Sequence, residues 1–174
     1  KGGSGGTDQN ATAPSGLLSK IFKTGYEFIA LGGGGGGGGG NNAGRNGGNG
    51  GSGGGSAGEN NPDSPGTSTQ LLYTLNGINR GYGSNGGQGG TGGGGGGGGA
   101  GQVGYSTTTT YGAPGGDGKY GVGSIDFKTH FNLPTDNTIG EYIAAEDKIY
   151  FAGGGGGGNE NYTSRSNNSG GKGG

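Results

Sequence analysis

Cysteine, methionine and tryptophan are all absent from this 174-residue chain. No disulfide and no thiolate metal site is therefore available, and the sequence carries no trace of its redox compartment. Large apolar side chains are scarce as well. Leu, Ile, Val and Phe make up about an eighth of the chain, and the mean hydropathy is −0.68. No stretch approaches the roughly 20 apolar residues of a membrane-spanning helix, so membrane insertion is not expected. Charge is sparse and balanced, with 10 Lys+Arg against 11 Asp+Glu. That leaves no basic stripe for phosphates, and nucleic acid is not an expected partner. Only 5 prolines are present, which excludes a collagen triple helix and its unbroken G-X-Y frame. By composition alone such a chain would be disordered. If it folds, its order has to come from the backbone, because the apolar side chains are too few.

What is abundant is glycine, 59 residues of 174. Uninterrupted runs occupy 32–40, 92–99 and 153–158. Beside them lie X-Gly-Gly triplets, with Lys1, Ser4 and Thr7, then Asn46, Asn49 and Ser52, then Tyr82, Asn85, Gln88 and Thr91 recurring every third residue. A flexible linker needs no period. A left-handed helix of three residues per turn does, since period three puts every X on one ridge and leaves two bare glycine faces for neighbouring backbones. The polyglycine II helix is therefore the expected element. Ordering each glycine costs roughly 1–2 kcal/mol of backbone entropy, so the runs need dense hydrogen bonding between close-packed neighbours. On this reasoning the pure runs belong inside a lattice, with Gly32, Gly36, Gly40, Gly92, Gly96, Gly99, Gly153 and Gly158 as its core, and the X-Gly-Gly segments belong at its rim. Gly36→Val is then expected to be severely destabilising.

Apolar residues gather in islands between the glycine tracts. Residues 17–31 read as two short strands around Thr24-Gly25, and 71–80 as a hairpin with Asn76-Gly77 at its tip. A third island covers 119–133. A fourth, 141–152, reads as two strands around 145–148, and like the first it runs straight into a glycine run. A small β-structured base would bury the aromatics and launch the glycine helices from a common level. At about 3.1 Å per residue the three runs would span roughly 28, 25 and 19 Å, lengths suited to side-by-side packing. The expected fold has little regular α structure and is a bundle or sandwich of packed polyglycine II helices with short β-hairpins. It forms a single glycine-rich domain over 1–174, with β-structured islands at 15–31 and 119–152 and polyglycine II tracts at 32–58, 81–104 and 153–174. Segments 41–43, 59–70, 105–111 and 159–168 are then connections or exposed loops. The start at Lys1, without Met or signal peptide, suggests a processed or excerpted protein.

Motifs of catalysis fail on context. G-x-S-x-G occurs at Ser4, Ser52 and Ser56 without a strand-to-helix turn, G-x-G-x-x-G is satisfied by any glycine run, and no P-loop frame exists. His130 has no identifiable nucleophile or orienting partner. The carboxylates lack calcium-loop spacing, and Asp117 in GGDG reads as a turn or rim residue. No enzyme, no cofactor and no metal are expected. Asn10, Asn161 and Asn167 head glycosylation sequons, which matter only in a eukaryotic secretory setting. Tyr105 and Tyr111, bracketing Thr107 to Thr110, and Tyr162, in an Asn/Ser-rich loop, carry aromatic and hydroxyl groups suited either to binding sugars or surface proteins or, equally, to covering the glycine lattice.

With hairpin followed by polyglycine established, YEFIALGGGGGGGGG at 26–40, TGGGGGGGGAGQVG at 91–104, GGDGKYGVGS at 115–124 and IYFAGGGGGG at 149–158 resemble the glycine-rich domains of bacteriophage tail-fibre and tail-tip adhesin proteins. The resemblance covers most of 15–174. It implies a polyglycine II sandwich whose variable loops contact a receptor or glycan on the host surface, on a virion surface or otherwise extracellular. Other virion fibre proteins, or copies of this chain, are the further partners it implies. A self-assembling extracellular filament subunit, pairing through strand edges at 17–31 or 141–152, is the alternative. Ice binding ranks below both, because the ridges at 46–52 and 82–91 do not make an obviously flat, regular face.

Overall fold

A computed structural model describes residues 12–23, 26–37, 45–58, 63–70, 74–75, 78–79, 82–109, 111–122, 125–137, 140–158 and 169–173. Among the described residues, regular structure is confined to short antiparallel pairs and one short helix. Strand β1 (Ser19–Lys23) pairs with β2 (Tyr26–Ala30), β3 (Thr74–Leu75) with β4 (Ile78–Asn79), β5 (Gly121–Val122) with β6 (Ile125–Asp126), and β7 (Glu141–Ile143) with β8 (Lys148–Tyr150). The hairpins expected at 17–31, 71–80 and 141–152 are thus present as strands, although the tips at 24–25 and 76–77 lie outside the described residues. Helix α1 (Phe127–Phe131) was not anticipated within the third island. Asp126 caps it by accepting from the Thr129 amide, and Asn132 closes it in the left-handed region at φ 49°, a conformation asparagine tolerates better than most residues.

Between these hairpins the backbone bonds at every third residue. The amides of Gly94, Gly97 and Ala100 donate to the carbonyls of Gly158, Gly155 and Ala152, so 92–100 and 152–158 run antiparallel in a register that steps by three. The next set, Gly95 and Gly98, donates to Ser56 and Gly53, and the third, Gly93, Gly96 and Gly99, to Thr109, Tyr105 and Gln102. One segment therefore serves three partners in turn, each of them at every third residue. Its carbonyls are divided in the same way, with those of Gly93 and Gly96 accepting from Gly90 and Gly87, and those of Gly94 and Gly97 from Ala113 and Gly116. Close approach explains why glycine is needed here. A Cβ built on Gly96 would lie 1.8 Å from the Pro114 carbonyl oxygen, and one on Gly54 2.0 Å from that of Gly35, far inside any van der Waals contact.

Burial corrects the assignment of interior and rim. Run 92–99 is largely buried as expected, but so is 51–57, an X-Gly-Gly continuation, whereas Gly33, Gly36, Gly155 and Gly158 are exposed. A Cβ on Gly36 or on Gly158 would meet nothing within 4 Å, so neither is a core position and the neighbours seen here give no steric reason for Gly36→Val to be severe. Gly32 is half-buried, yet its Cβ would fall 1.9 Å from the Gly16 carbonyl oxygen, and Gly99 is buried with 2.2 Å to that of Gly116. Gly92 is buried and Gly153 half-buried, while Gly40 lies outside the described residues. Two of the presumed loops are also corrected. Residues 64–69 and 102–109 are bonded into the array through the Ser64, Thr67 and Thr69 backbone and the Gln102, Tyr105 and Thr109 carbonyls. Side chains are tolerated there because these segments lie on an outer face, where one residue in three looks away from its neighbours. The loops at 41–43, 59–62 and 159–168 lie outside the described residues.

The launching base is built around β8. Ile149 (1% exposed) and Tyr150 (6%) are buried. The Tyr120 and Tyr150 rings meet edge-on at 5.3 Å, and those of Phe127 and Phe151 at 5.9 Å. Lys119 and Phe151 exchange backbone bonds of 2.9 and 3.0 Å, and Ala152, at φ 59°, turns the chain into the glycine run. Charge closes one flank. The Lys172 ammonium and the Tyr150 hydroxyl both donate to Glu146 and hold its carboxyl below its ordinary value, while burial and that same bond push Tyr150 up to about 12. Lys128 and then Tyr142 likewise hold Asp147 down. Carboxyls depressed by folding contribute stability that is fully present above their unfolded values of 4.5 and 3.8 and is lost as pH falls through the lower folded values. A melting temperature followed from neutral pH to pH ~3 should therefore fall mainly below the ordinary carboxylate range near pH ~4.3, and Glu146→Gln should flatten that acid limb. An acid limb unchanged in this variant would exclude the Glu146 cluster as its source.

Candidate functional site

The outer row 102–109 places the residues singled out as a binding surface. Tyr105 donates its amide to Pro114 at 3.2 Å and accepts at its carbonyl from Gly96 at 3.0 Å, so its backbone is fixed on both sides while 48% of the residue remains exposed. Its hydroxyl accepts from Gln102 Nε2 at 2.7 Å. Thr107 donates its amide to Gln88, and Thr109 accepts from Gly93. Their hydroxyls lie 3.0 Å apart, and Thr109 Oγ1 accepts the Tyr111 amide at 3.3 Å. Tyr111 is 41% exposed, and its carbonyl oxygen lies 1.9 Å from where a Cβ on Gly93 would stand. Tyr105 and Tyr111 therefore border the same glycine run, at Gly96 and Gly93, three residues apart along it. Val103, 54% exposed, stands on the same row. Tyr162 lies outside the described residues, as do Asn10, Asn161 and Asn167.

Polar residues at the period-three positions do more than cover glycine. Asn46 and Asn49 accept the Ser64 and Thr67 amides, Asn85 accepts that of Ser68, and Ser106 that of Gln88, each at 2.8–2.9 Å. They clip neighbouring rows together at amides that no backbone carbonyl serves. The triplet pattern announced a ridge of X residues; what it did not reveal is that the ridge is a set of clamps. Asn46, Asn49, Asn85 and Gln88 stay exposed, so the outer face presents amides and hydroxyls at regular intervals.

The other candidates keep structural roles. His130 is exposed on α1 with its ring edge-on to Phe131 at 4.7 Å. Asp117 accepts the Lys172 amide at 3.0 Å and lies 3.7 Å from its ammonium, tying the 169–173 segment to the array. Sequence reading missed the stack in which the Lys148 ammonium sits 3.7 Å from the centre of the Tyr120 ring. No cluster of metal-binding side chains occurs among the described residues, and no helix among them is long and apolar enough to cross a membrane. No family model, curated protein or solved structure matches this chain.

Proposed function

We propose that this chain is a noncatalytic adhesin module, of the kind carried by phage tail fibres, in which polyglycine II helices form a rigid frame and the outer row binds a host-surface receptor or glycan. The hydrogen bonds support three stacked layers of helices. A middle layer of 45–50, 51–58, 92–100 and 112–118 lies between 63–69, 82–90 and 102–109 on one side and 12–16, 32–37, 152–158 and 169–173 on the other. The observation that carries the binding reading is the exposure of Tyr105 and Tyr111 along one glycine run, with the Tyr105 backbone bonded at both its amide and its carbonyl. Aromatic rings held this way offer contact area at small entropic cost, and the hydroxyls of Ser106 and Thr108 beside them supply adaptable polar contacts. Such a surface would work on a virion or otherwise outside the cell, alongside other fibre proteins.

Replacing Tyr105 and Tyr111 together by Ser should lower binding to intact host cells or to a glycan array at least tenfold. Its melting temperature should stay close to that of the parent, because neither side chain is buried. Equal binding at matched stability would remove this row from the site. A second reading, the self-assembling filament subunit, draws on the sheets. All four sheets among the described residues are two-stranded, which leaves strand edges for pairing with further copies. Filaments in a purified sample that bind no cell would favour it.

A further inference from the structure

A groove crosses the layer that holds 32–37 and 152–158. Its walls are 34–37 and 155–158, its floor is 54–56 and 94–97, and its volume is about 190 Å³, well beyond the space of a single water. Every lining residue except Ser56 is glycine. Counting by threes identifies the groups that face it. In 53–57 the amides of Gly53 and Ser56 go to Ser84 and Gly87, and those of Gly54 and Ala57 to Gly48 and Arg45. The third set, represented by Gly55, has no partner among the described residues. In 154–158 the amides of Gly154 and Gly157 go to Gly116 and Ala113; Gly156 belongs to the set of Gly153, which donates to Gly173, and the remaining set is Gly155 and Gly158. Carbonyls follow the same rule. Those of Gly32 and Gly35 accept from Gly51 and Gly48, those of Gly33 and Gly36 from Gly16 and Ala13, and Gly34 and Gly37 are left over. In 93–97 the unserved carbonyl is that of Gly95, a buried residue.

Around the groove, then, acceptors on 34–37, donors on 54–56, an acceptor on 94–97 and donors on 155–158 alternate from wall to wall. That is the pattern an inserted threefold strand would complete, donating to two neighbours and accepting from the other two. Buried backbone groups are seldom left unpaired, and of these Gly55 and Gly95 are buried. An occupant in this layer would have neighbours on four sides and an open face. The wall strand shows what that allows: a Cβ at Gly154 or Gly157 would lie 2.0 Å from a backbone oxygen, whereas at Gly155 or Gly158 it meets nothing within 4 Å. One residue in three can carry a side chain, so the fitting sequence is X-Gly-Gly.

We propose that the groove is a docking site for residues 1–7 of this chain, KGGSGGT, with Lys1, Ser4 and Thr7 facing outward. This rests on the helical-array reading above and is independent of what Tyr105 and Tyr111 bind. Among the chain's X-Gly-Gly triplets, those at Lys1 and Ser4 lie outside the described residues, whereas those at Leu31, Asn46, Asn49, Ser52, Asn85, Gln88, Thr91, Pro114, Ala152, Ser169 and Lys172 are already bonded into other rows. Reach is sufficient. Thr12 begins the segment beside Gly36 and Gly37, since the next residue donates to Gly36. Residues 8–11 then have to cross two row spacings of about 5 Å each, against an extended reach of about 3.3 Å per residue.

Amide hydrogen exchange tests this on the full chain, on its Gly5→Val variant, and on residues 8–174, which keep every described bond. In the full chain the Gly55, Gly155 and Gly158 amides should exchange at least 100-fold more slowly than in either altered protein, while Gly94 and Gly97 stay protected in all three. Synthetic KGGSGGT added to residues 8–174 should restore the protection. Equal exchange of the three amides in all proteins would overturn the proposal, whether they are uniformly fast or uniformly slow. Protection that rises with protein concentration alongside a dimer in sedimentation would also overturn it, by giving the groove to a second copy. Free exchange at Gly94 and Gly97 in the full chain would overturn the array itself and this site with it, whereas loss of cell binding in the Tyr105 and Tyr111 variant would leave the exchange pattern unmoved.

Discussion

Gly96→Val should leave the protein largely unfolded at room temperature, whereas Gly158→Val should fold and melt within a few degrees of the parent. The two glycines belong to neighbouring hydrogen-bonded runs and differ in what surrounds them. At Gly96 a Cβ would stand 1.8 Å from the Pro114 carbonyl oxygen, and the residue's amide and carbonyl bond to Tyr105 and Gly87 in two different rows. A β-branched side chain would push both partners away. Overpacking costs about 1–3 kcal/mol and each buried group left unpaired about 1–3 more. Together these come to about 3–9 kcal/mol, enough to exceed the stability of a domain in the lower part of the roughly 5–15 kcal/mol range. At Gly158 the same atom meets nothing within 4 Å. Circular dichroism and calorimetry on both variants decide the matter. Similar melting temperatures for the pair would contradict the packing of run 92–99.

Ile149→Ala should cost about 3 kcal/mol, within the range of about 2–5 kcal/mol for emptying a buried aliphatic site. The buried hydrophobic residues among those described are Ala57, Ala113, Ile149 and Tyr150, so Ile149 is the one large aliphatic side chain fully withdrawn from water there. In a domain of this size that cost corresponds to a fall of about 6–12 °C in melting temperature. The loss should also reach the array. β8 is joined to Lys119 through Phe151, and the chain passes from there through Ala152 into the glycine run. Faster amide exchange at Lys119 and Phe151 in the variant, with Gly54 and Gly96 less affected, is the expected pattern. A drop of under 2 °C would mean that the base contributes little and that the glycine rows stand without it.

Composition and period, read along the chain, were enough to exclude a membrane-spanning helix and a disulfide framework and to place short hairpins within 17–31, 71–80 and 141–152, where strands are found at 19–30, 74–79 and 141–150. Strand alternation and turn residues are local signals, so these elements could be read before any tertiary contact was known. Period three likewise announced bonding at every third residue, because that spacing follows from the backbone's own geometry. Which glycines are interior could not be read in this way. Gly36 and Gly96 sit in identical sequence surroundings, yet one faces open space and the other a carbonyl oxygen, since burial depends on how many neighbouring rows close around a run. For the same reason Tyr105 looked like a loop residue and proved to be clamped in a row. Helix α1 escaped because five residues carry too little periodicity. Only the assembled rows brought the groups of Gly34, Gly55, Gly95 and Gly155 around one groove, since each was left unpaired by bonds to partners far away in sequence.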